Sequence, residues 1–573
     1  MASTTANPYD IIPQPVLSQF VADQPPFRLD RSNARLAFAV PDDYPDLVGL
    51  TQFLAYFASF IGLAQTEAVA ISELPSVEGS IVVELLGPDS DAHSQPNGNE
   101  GYDLSVDASH IRIRSRHIGG ARHGLYTFAQ MTDVSSDIAA GVVVDQPRFA
   151  WRGVLLDCCR SFMDIPFILS LLDILAYHKV NRLHWHLTED QGWRIQIDRF
   201  PRLTEVGAWR YDPTVEGGQY GGYYTKDDIR AVVDKASLLG ITIVPEIELP
   251  GHSLAALASY PELGCIDPET MQHRSYATGN LRGIYDDCYC AGQETTFEFL
   301  QAVIDEVIPL FPGDYFHFGG DEVTFRRWYS CPLCTKRMAD HGFTTPQQLQ
   351  SWFVSRMAGY ISSKGKIPIG WDDIVAQGAD DLPRNVTIQS WLGPHGVRTA
   401  VKSGLDVVVS PYTETYFDLP ALPQNDPKDE GTAYHWSVHV PFDRVYNFDP
   451  CLADLTDDEQ KHIIGVECCL WTERARQAVA LRKLFPRILA FATKAWFPKP
   501  SDPARMAGSQ EMDIDQSESA GLLAFDQFIG VVSKTHVPKR LVGRFGITDL
   551  RDGLTQGTRD LDWPGLECVV WTS

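Results

Sequence analysis

The sequence is poor in basic residues and has no apolar run long enough to cross a membrane. Lys and Arg number 48 against 74 Asp and Glu, which gives a formal net charge of -26. Phosphate groups are bound by clustered Lys and Arg, so this balance argues against nucleic acid or an anionic membrane as a partner. The apolar stretch at 48–63 is interrupted by Thr51, Gln52 and Ser59. We therefore expect no membrane-spanning helix.

No secretion signal is visible at the start of the sequence. Residues 1–15 contain no basic region followed by an apolar one, which is the pattern of a signal peptide. We therefore expect a cytoplasmic protein, or a secreted one if a leader has been removed. At 573 residues the chain is too long for one ordinary core, so we expect two or three domains.

The cysteine count argues against a disulfide framework. There are 11 cysteines, an odd number, and this fits reduced thiols. Cys331-Pro-Leu-Cys334 has the spacing of a metal or redox motif, with Cys265, Cys288 and Cys290 upstream as candidate partners. Because a lone CxxC is weak support for zinc, we interpret these cysteines as structural or incidental thiols. The lone motif therefore does not by itself predict a metal site.

The first part of the chain, residues 1–146, has the pattern of a small α+β domain. Its predicted strands lie at 35–40, 80–86, 102–106 and 110–114, and its predicted helices at 48–63 and 121–131. The last two strands alternate apolar and polar residues around a short turn, which is typical of a hairpin. Nothing in this part of the sequence carries convincing chemistry.

Residues 147–498 show strand followed by helix, repeated along the chain. Eight predicted strands lie at 151–157, 181–187, 241–247, 315–318, 367–370, 386–389, 405–410 and 463–466. Predicted helices lie at 165–178, 227–239, 297–310, 347–363, 397–403 and 478–495. This alternation favours parallel pairing, and eight strands fit a closed (β/α)8 TIM barrel of the α/β class. A doubly wound open sheet is the alternative, but no GxGxxG follows any strand.

Residues 499–573 form a C-terminal extension beyond the predicted barrel. The stretch 500–519 is polar and acidic, so we expect the extension to be partly flexible. A helix is predicted at 520–532, and the sequence assigns no function to this extension.

Polar and aromatic residues stand at or just after the end of every predicted barrel strand. In chain order they are Asp157, Arg160, Glu189, Asp190, Gln191, Trp193, Glu246, Glu248, His252, Asp321, Glu322, Trp371, Asp372, Asp373, Trp391, Tyr416, Asp418, Glu467, Trp471 and Glu473. Barrel enzymes project their catalytic groups from this end. Aromatic faces cover the C–H surface of a sugar, while Arg and carboxylates bind its hydroxyls. Each residue alone also fits a packing or surface role, but their joint placement predicts a sugar-binding pocket.

Five motifs occur in order along the predicted barrel. They are Leu155-Leu-Asp-Cys-Cys-Arg160, His184-Trp-His-Leu-Thr-Glu-Asp-Gln-Gly-Trp193, Pro245-Glu-Ile-Glu-Leu-Pro-Gly-His252, His317-Phe-Gly-Gly-Asp-Glu322 and Leu470-Trp-Thr-Glu473. In this combination the sequence resembles glycoside hydrolase family 20, the β-N-acetylhexosaminidases. The resemblance covers residues 147–498. Residues 102–131 also resemble the end of the small α+β domain that precedes the barrel in that family.

The resemblance implies an exo-acting, retaining hydrolase for terminal non-reducing β-linked GlcNAc or GalNAc. In that family the 2-acetamido oxygen of the substrate attacks C1 and forms an oxazolinium intermediate, so no protein nucleophile is needed. By the resemblance, Glu322 is the general acid and base and Asp321 accepts the acetamido N–H. Tyr416 would hold the acetamido oxygen. The resemblance implies no metal and no organic cofactor.

The resemblance also implies which residues bind the sugar and which support the acid. The implied sugar-binding residues are Arg160, Trp371, Trp391, Asp418, Trp471 and Glu473. His252 would hydrogen-bond Glu322, and the family pairs this histidine with an aspartate at the end of the second strand. The chain offers Glu189 and Asp190 there, and we favour Asp190 because it keeps the expected side chain.

Two functional hypotheses stay open at this point. The first is hydrolysis, because Asp321, Glu322 and Tyr416 are all present. The second is an inactive carbohydrate-binding relative, since sugar recognition does not need the Asp-Glu pair. The expected partners are N-acetylhexosamine-terminated oligosaccharides or glycoconjugates, and assembly into a homodimer is left open. Release of disaccharides or of sulfated sugars would depend on the loops at 211–224 and 413–435.

Overall fold

The computed structural model describes residues 4–5, 7–41, 43–71, 79–86, 99–281, 283–421, 438–498 and 522–547. The strands of the first part of the chain are β1 (Thr4–Thr5), β2 (Leu17–Val21), β3 (Phe27–Arg28), β4 (Arg35–Ala39), β5 (Val69–Ala70), β6 (Ser80–Leu85), β7 (Tyr102–Val106), β8 (His110–Ser115), β9 (Asp137–Ile138) and β10 (Gly141–Asp145). The later strands are β11 (Trp151–Asp157), β12 (Arg182–His186), β13 (Thr188–Glu189), β14 (Gly192–Trp193), β15 (Trp209–Tyr211), β16 (Gln219–Gly221), β17 (Thr242–Leu249), β18 (Tyr315–Gly319), β19 (Ile367–Trp371), β20 (Thr387–Ser390), β21 (Val407–Val409) and β22 (Ile463–Leu470).

The helices cover much of the barrel and one face of the first domain. They are α1 (Leu47–Phe60), α2 (Ile118–Val134), α3 (Ile165–Tyr177), α4 (Arg202–Glu205), α5 (Lys226–Leu239), α6 (Leu254–Ser259), α7 (Glu294–Val307), α8 (Arg326–Ser330), α9 (Pro332–His341), α10 (Pro346–Ser363), α11 (Pro394–Lys402), α12 (Tyr412–Thr415), α13 (Phe442–Asn447), α14 (Asp457–Gln460), α15 (Gln477–Leu484), α16 (Arg487–Trp496) and α17 (Phe525–Val531). Within the described ranges, none of them is both long and apolar enough to cross a membrane.

The N-terminal domain is built on a mixed eight-stranded sheet in the order β1-β2-β10-β7-β8-β6-β4-β5. The predicted hairpin forms, because β7 and β8 pair antiparallel with Leu104 opposite Ile113. Helix α2 packs on these two strands, and α1 faces the barrel helix α5. Helix α1 begins at Asp46, whose carboxylate accepts the N–H of Gly49, and it buries an apolar stripe that includes Leu50 and Phe57.

The eight predicted barrel strands close into one parallel barrel in the order β11-β12-β17-β18-β19-β20-β21-β22. Strand β11 closes the ring by pairing with β22, and all seven of its residues are buried. Burial on both faces explains why these strands are nearly continuous apolar runs. The predicted TIM barrel preceded by a small α+β domain is therefore confirmed. Since the strands are parallel, their carboxyl ends share one face.

The prediction of a single helix at 478–495 is wrong in one respect. The structure has two helices there, α15 and α16, which are separated by Phe485-Pro486. Proline has no N–H to donate and its ring crowds the preceding turn, so the first helix ends before it. Helix α16 starts again at Arg487, a buried residue whose guanidinium donates to the carbonyl oxygens of Leu419 and Val440.

Part of the C-terminal extension packs against both domains. Helix α17 continues into a π-helical segment, Val532–Val542, whose Arg540 donates to Nδ1 of His536. Nε2 of His536 lies 2.8 Å from Nε2 of His178, and Nδ1 of His178 lies 2.7 Å from the carbonyl oxygen of Ile174. Burial lowers the pKa of His178 to about 3, so both rings are neutral and His536 donates to His178. The stretches 499–521 and 548–573 lie outside the described residues.

Asp145, the last residue of β10, connects the two domains through a buried charge. Its Oδ2 accepts from Nζ of Lys179 at 2.7 Å and from the hydroxyl of Tyr102 at 2.8 Å. Its Oδ1 accepts from Nε1 of Trp496 at 2.8 Å. Lys179 follows α3 and Trp496 ends α16, so one carboxylate joins the first sheet to two barrel helices. Both partners of the ion pair have 0% side-chain exposure.

We expect Asp145→Ala to lower the free energy of unfolding by about 3–5 kcal/mol, because it leaves the ammonium of Lys179 buried without its carboxylate. The shift of the urea unfolding midpoint, followed by circular dichroism, measures this effect. Asp227→Ala is the control, since the Asp227 side chain is 90% exposed and should leave the midpoint essentially unchanged. Equal midpoints for the two variants would contradict the role of the buried pair.

Candidate active site

Asp321 and Glu322 follow β18 directly, where the backbone adopts angles that few residues tolerate. Gly319 and Gly320 have φ of 69° and 102°, a region that favours glycine. A Cβ at Gly319 would lie 1.7 Å from Oε2 of Glu248, so no larger residue fits there. Glu322 itself has φ of 51°, and such a conformation costs a non-glycine residue about 1–3 kcal/mol. The surrounding structure thus holds the two carboxyl groups in place at the mouth of the barrel.

The Glu322 carboxyl is partly buried beside a positive and a negative neighbour. Its side chain is 26% exposed, and Nε2 of His252 lies 3.5 Å from its Oε2. Burial raises the pKa of Glu322 to about 7, with His252 opposing this shift and the charge of Asp321 adding to it. A carboxyl group that titrates near neutral pH can both give and take a proton under physiological conditions.

Asp321 presents one oxygen that the protein leaves without a hydrogen bond. Its Oδ2 lies 3.5 Å from Nε2 of His252. Its Oδ1 is buried and has no hydrogen-bond partner among the described residues. An unsatisfied buried oxygen is costly. The arrangement is therefore suited to accept a hydrogen bond from a bound molecule.

The sequence favours Asp190 as the partner of His252, but the structure places Glu189 closer. Nδ1 of His252 lies 2.9 Å from Oε1 of Glu189 and 3.5 Å from Oδ2 of Asp190. The other oxygen of Asp190 accepts the N–H of Leu254 at 2.9 Å, at the start of α6. Both carboxylates thus lie close to Nδ1 of His252, with Glu189 the nearer of the two.

Glu189 also holds Arg160, so it connects two of the predicted site residues. Nη2 of Arg160 lies 2.9 Å from Oε2 of Glu189, and Nε lies 4.0 Å from Oε1 of Glu473. Burial disfavours the charge of Glu189, but Arg160 and His252 keep its pKa well below the usual range. The guanidinium carbon of Arg160 stands 5.0 Å from the ring centroid of Trp471, a cation–π contact. Arg160 is therefore fixed from three sides at the edge of the site.

Four aromatic rings, those of Trp371, Trp391, Tyr416 and Trp471, line the same end of the barrel. Ring centroids lie 5.9 Å apart for Trp371 and Trp471, and 6.1 Å apart for Tyr416 and Trp471. Trp391 and Tyr416 are stacked, with 16° between their planes. Burial raises the pKa of Tyr416 well above its usual value, so the phenol keeps its proton and can donate. Together the rings make a continuous apolar wall with one hydroxyl.

Asp373 and Asp418 complete the site on the side of β19 and β21. Oδ2 of Asp373 accepts from Nε1 of Trp391 at 2.8 Å, and its Oδ1 accepts the N–H of Glu322 at 3.3 Å. Asp373 thus joins the aromatic wall to the backbone of the acid. Asp418 is buried two residues after Tyr416. The sequence places Asp373 after its strand but gives it no role.

A buried network supports the site from below. Oε1 of Glu246 accepts from Nε1 of Trp371 at 2.9 Å and lies 2.8 Å from Nδ1 of His317. Its Oε2 lies 3.1 Å from Nε2 of His184, whose Nδ1 lies 2.7 Å from Oε1 of Glu467. Burial alone would lower the pKa of His184, but the charges of Glu246 and Glu467 raise it to about 9. These residue types can also ligate metals, although here their atoms contact one another.

The spacing of two glutamates in the sequence is a signal for this network. Glu246 and Glu248 alternate along β17, and successive side chains of a strand point to opposite faces. Two carboxylates two residues apart in an apolar strand therefore share one face. Both are buried in the barrel, where a charge needs partners. Their spacing therefore indicates buried carboxylates that support the site, in addition to their place at the end of a strand.

The side chains of the site together determine which reaction it can support. Glu322 can exchange a proton near neutral pH, and Asp321 can accept a hydrogen bond beside it. The aromatic wall can cover an apolar face of a ligand, and Arg160 can bind its oxygens. A pocket of about 200 Å³ adjoins Glu322, lined also by Asp373, Gln350 and Leu392. The site therefore suits proton-assisted cleavage of a bond in a sugar-like molecule.

Two family profiles match almost all of the chain that precedes the C-terminal extension. The profile described as glycosyl hydrolase family 20, catalytic domain, matches residues 149–499. The profile described as glycosyl hydrolase family 20, domain 2, matches residues 9–146.

Similar proteins come from curated sequences and from solved structures. The beta-hexosaminidase of Porphyromonas gingivalis is 38% identical over 419 residues, which cover 70% of this chain and 51% of that one. The beta-hexosaminidase of Vibrio furnissii is 35% identical over 413 residues, 70% of this chain and 66% of that one. The chain thus spans between half and two thirds of these relatives. The exo beta-N-acetylglucosaminidase structure from Vibrio harveyi has a TM-score of 0.75 and 25% identity, covering 95% of this chain and 79% of that one.

Proposed function

Because the chain belongs to glycosyl hydrolase family 20, we propose that it is an exo-acting β-N-acetylhexosaminidase. It hydrolyses terminal non-reducing β-linked GlcNAc or GalNAc from oligosaccharides or glycoconjugates. The observation that carries this proposal is the pairing of Asp321, with its buried acceptor oxygen, and Glu322, whose pKa is about 7. The Vibrio harveyi relative, whose structure holds N-acetylglucosamine, supports this class of substrate.

In the first half of the reaction the substrate supplies its own nucleophile. The acetamido carbonyl oxygen bonds to C1 as the bond from C1 to the leaving oxygen breaks, and Glu322 transfers its proton to that oxygen. Asp321 accepts the acetamido N–H, which stabilises the positive charge of the oxazolinium ring. Tyr416 donates its hydroxyl proton as a hydrogen bond to the acetamido oxygen and aligns it with C1.

In the second half Glu322 acts as a base. Its carboxylate takes a proton from water, and the hydroxide oxygen bonds to C1 as the bond to the acetamido oxygen breaks. Each half inverts C1, so the product keeps the β configuration. Glu322 regains its proton in this step, and the enzyme returns to its starting state.

The remaining site residues hold the sugar and keep bulk water away. Trp371, Trp391 and Trp471 enclose the acetamido methyl and the ring, which limits competition by water for C1. Arg160 and Glu473 bind the distal hydroxyls, and Asp418 the region of O4 and O6.

His252 adjusts the proton affinity of Glu322. Burial disfavours its charge, but Glu189 and Asp321 raise its pKa well above the usual value, so it is a cation at neutral pH. At 3.5 Å from both catalytic carboxyl groups it stabilises their charged forms. Glu189 and Asp190 position this cation and offset its charge.

We expect Glu322→Gln to lower turnover by about 10²–10⁴ on a substrate with a poor leaving group, because the amide cannot donate the proton. Initial rates on a GlcNAc disaccharide measure this loss. Glu262→Gln, on the protein surface, is the matched control and should keep the wild-type rate. An unchanged rate in Glu322→Gln would contradict its role. A wild-type chain that binds GlcNAc without cleaving any such substrate would instead support a binding protein.

The pH dependence of kcat/KM should report Glu322. Because the acid must be protonated, the rate is full below pH 7 and falls as pH rises through the Glu322 pKa of about 7. In Asp321→Asn the negative neighbour is lost, so the falling limb should move to lower pH while the rate itself also drops. A limb that stays at the same pH in this variant would show that another group is titrating.

Substrates without the acetamido group should react poorly. A matched aryl glucoside should be cleaved at least about 10³-fold more slowly than the aryl N-acetylglucosaminide, since positioned intramolecular groups reach effective concentrations of about 10⁵–10⁸ M. The ratio of kcat/KM for the two substrates measures this difference. A ratio near unity would exclude attack by the acetamido oxygen.

A further inference from the structure

Four buried cysteines from three separate stretches of the sequence converge beside the barrel. The four-cysteine cluster consists of Cys265, Cys290, Cys331 and Cys334. No member is more than 2% exposed. The sulfur atoms lie 3.8 Å apart for Cys265 and Cys334, 3.6 Å for Cys290 and Cys334, and 3.8 Å for Cys290 and Cys331. All four sulfurs lie within 4.8 Å of one another.

The spacing of the sulfurs distinguishes between two kinds of crosslink. A disulfide requires sulfurs about 2.05 Å apart and joins them in pairs. In a tetrahedral zinc site with Zn–S bonds of about 2.3 Å, the sulfurs lie about 3.8 Å apart and all four share one centre. The measured separations agree with the second arrangement. We propose that the four-cysteine cluster binds one Zn²⁺ as a structural tetrathiolate site.

The local backbone of the Cys331-Pro-Leu-Cys334 motif suits metal ligation. Cys331 is the N-cap of helix α9, which begins at Pro332, and Cys334 lies in its first turn. The N–H of Cys334 donates to the sulfur of Cys331. A helix N-terminus and a donated N–H both stabilise a thiolate, the form that binds the metal. Binding releases the thiol protons.

The structure also shows which of the three upstream cysteines lie close to the Cys331-Pro-Leu-Cys334 motif. Cys265 and Cys290 join the motif, whereas Cys288 is buried but lies outside the cluster. The backbone brings the two selected residues together, because Cys290 donates its N–H to the carbonyl oxygen of Leu263 at 2.9 Å. A Cβ at Gly292 would lie 2.4 Å from the backbone N of Cys334, so glycine permits the close approach of the two chain segments.

The position of the cluster indicates what the metal would do. Cys265 and Cys290 belong to the segment that follows β17 and carries His252, while Cys331 lies nine residues after Glu322. One ion therefore joins the segments that hold the acid and its cationic neighbour. Four protein ligands leave no open position for substrate or water, so the role is structural. This inference does not depend on the proposed hydrolase activity.

Metal analysis of the purified chain tests the proposal directly. The protein is prepared without chelators or a metal-affinity step and analysed by plasma mass spectrometry. We expect about one zinc per chain, and zinc-edge X-ray absorption should show four sulfur ligands at about 2.3 Å. Oxygen or nitrogen ligands around the zinc would overturn the assignment, as would iron in its place.

Paired variants locate the zinc on the chain. The double variant Cys331→Ser with Cys334→Ser should lose the zinc, whereas the matched control Cys288→Ser should retain it. If the double variant fails to fold, the wild-type chain stripped of zinc and loaded with Co²⁺ decides the question. Thiolate-to-cobalt charge-transfer bands and intense tetrahedral d–d bands support the site. A metal-free wild-type chain that takes up no Co²⁺, or disulfides between these cysteines in mass spectra, would overturn it.

Discussion

The charges at the mouth of the barrel depend on one pair of carboxyl groups. These two groups are neighbours in the chain, and both are largely buried. Asp321 and Glu322 would repel each other if both were ionised, and burial makes each charge more costly. His252 offsets this cost as a shared cation at 3.5 Å from both. That cation in turn needs Glu189 and Asp190, and Glu189 needs Arg160. The chain of alternating charges extends from β18 to the edge of the site.

Buried charges are also paired with opposite charges or hydrogen-bond donors in the layer of side chains below the site. Glu246 has no contact with solvent, yet it lies within hydrogen-bond distance of His184 and His317 and fixes the indole of Trp371. Carboxylates therefore orient the aromatic wall, since Asp373 likewise accepts a hydrogen bond from Nε1 of Trp391. Without these hydrogen bonds, packing alone would allow the indole rings more than one rotamer. The hydrogen bonds select one arrangement, and this pre-organises the surface that meets the ligand.

The sequence predicts the parts of this structure that depend on local pattern. Eight apolar strands alternating with helices predict the barrel, which the structure contains. The residues at the strand ends include most of those that line the candidate site. The sequence does not predict which of two neighbouring residues makes a contact, because such a choice depends on distances of an ångström or two. Nδ1 of His252 lies 2.9 Å from Glu189 and 3.5 Å from Asp190. The four-cysteine cluster includes Cys290 but not Cys288. The break at Pro486 was readable, since proline rarely continues a helix.

The packing of residues 522–547 has a consequence for how the protein is made. Arg540 donates to the carbonyl oxygens of Tyr9 and Gln130, and His536 contacts His178 near the end of α3. Residues near both ends of the described chain therefore meet across the first domain and the barrel. A ribosome delivers the N-terminal domain before the barrel and before residues 522–547, so its contacts with this segment form only after the segment emerges. The first domain is thus synthesised before the segment that completes its contacts.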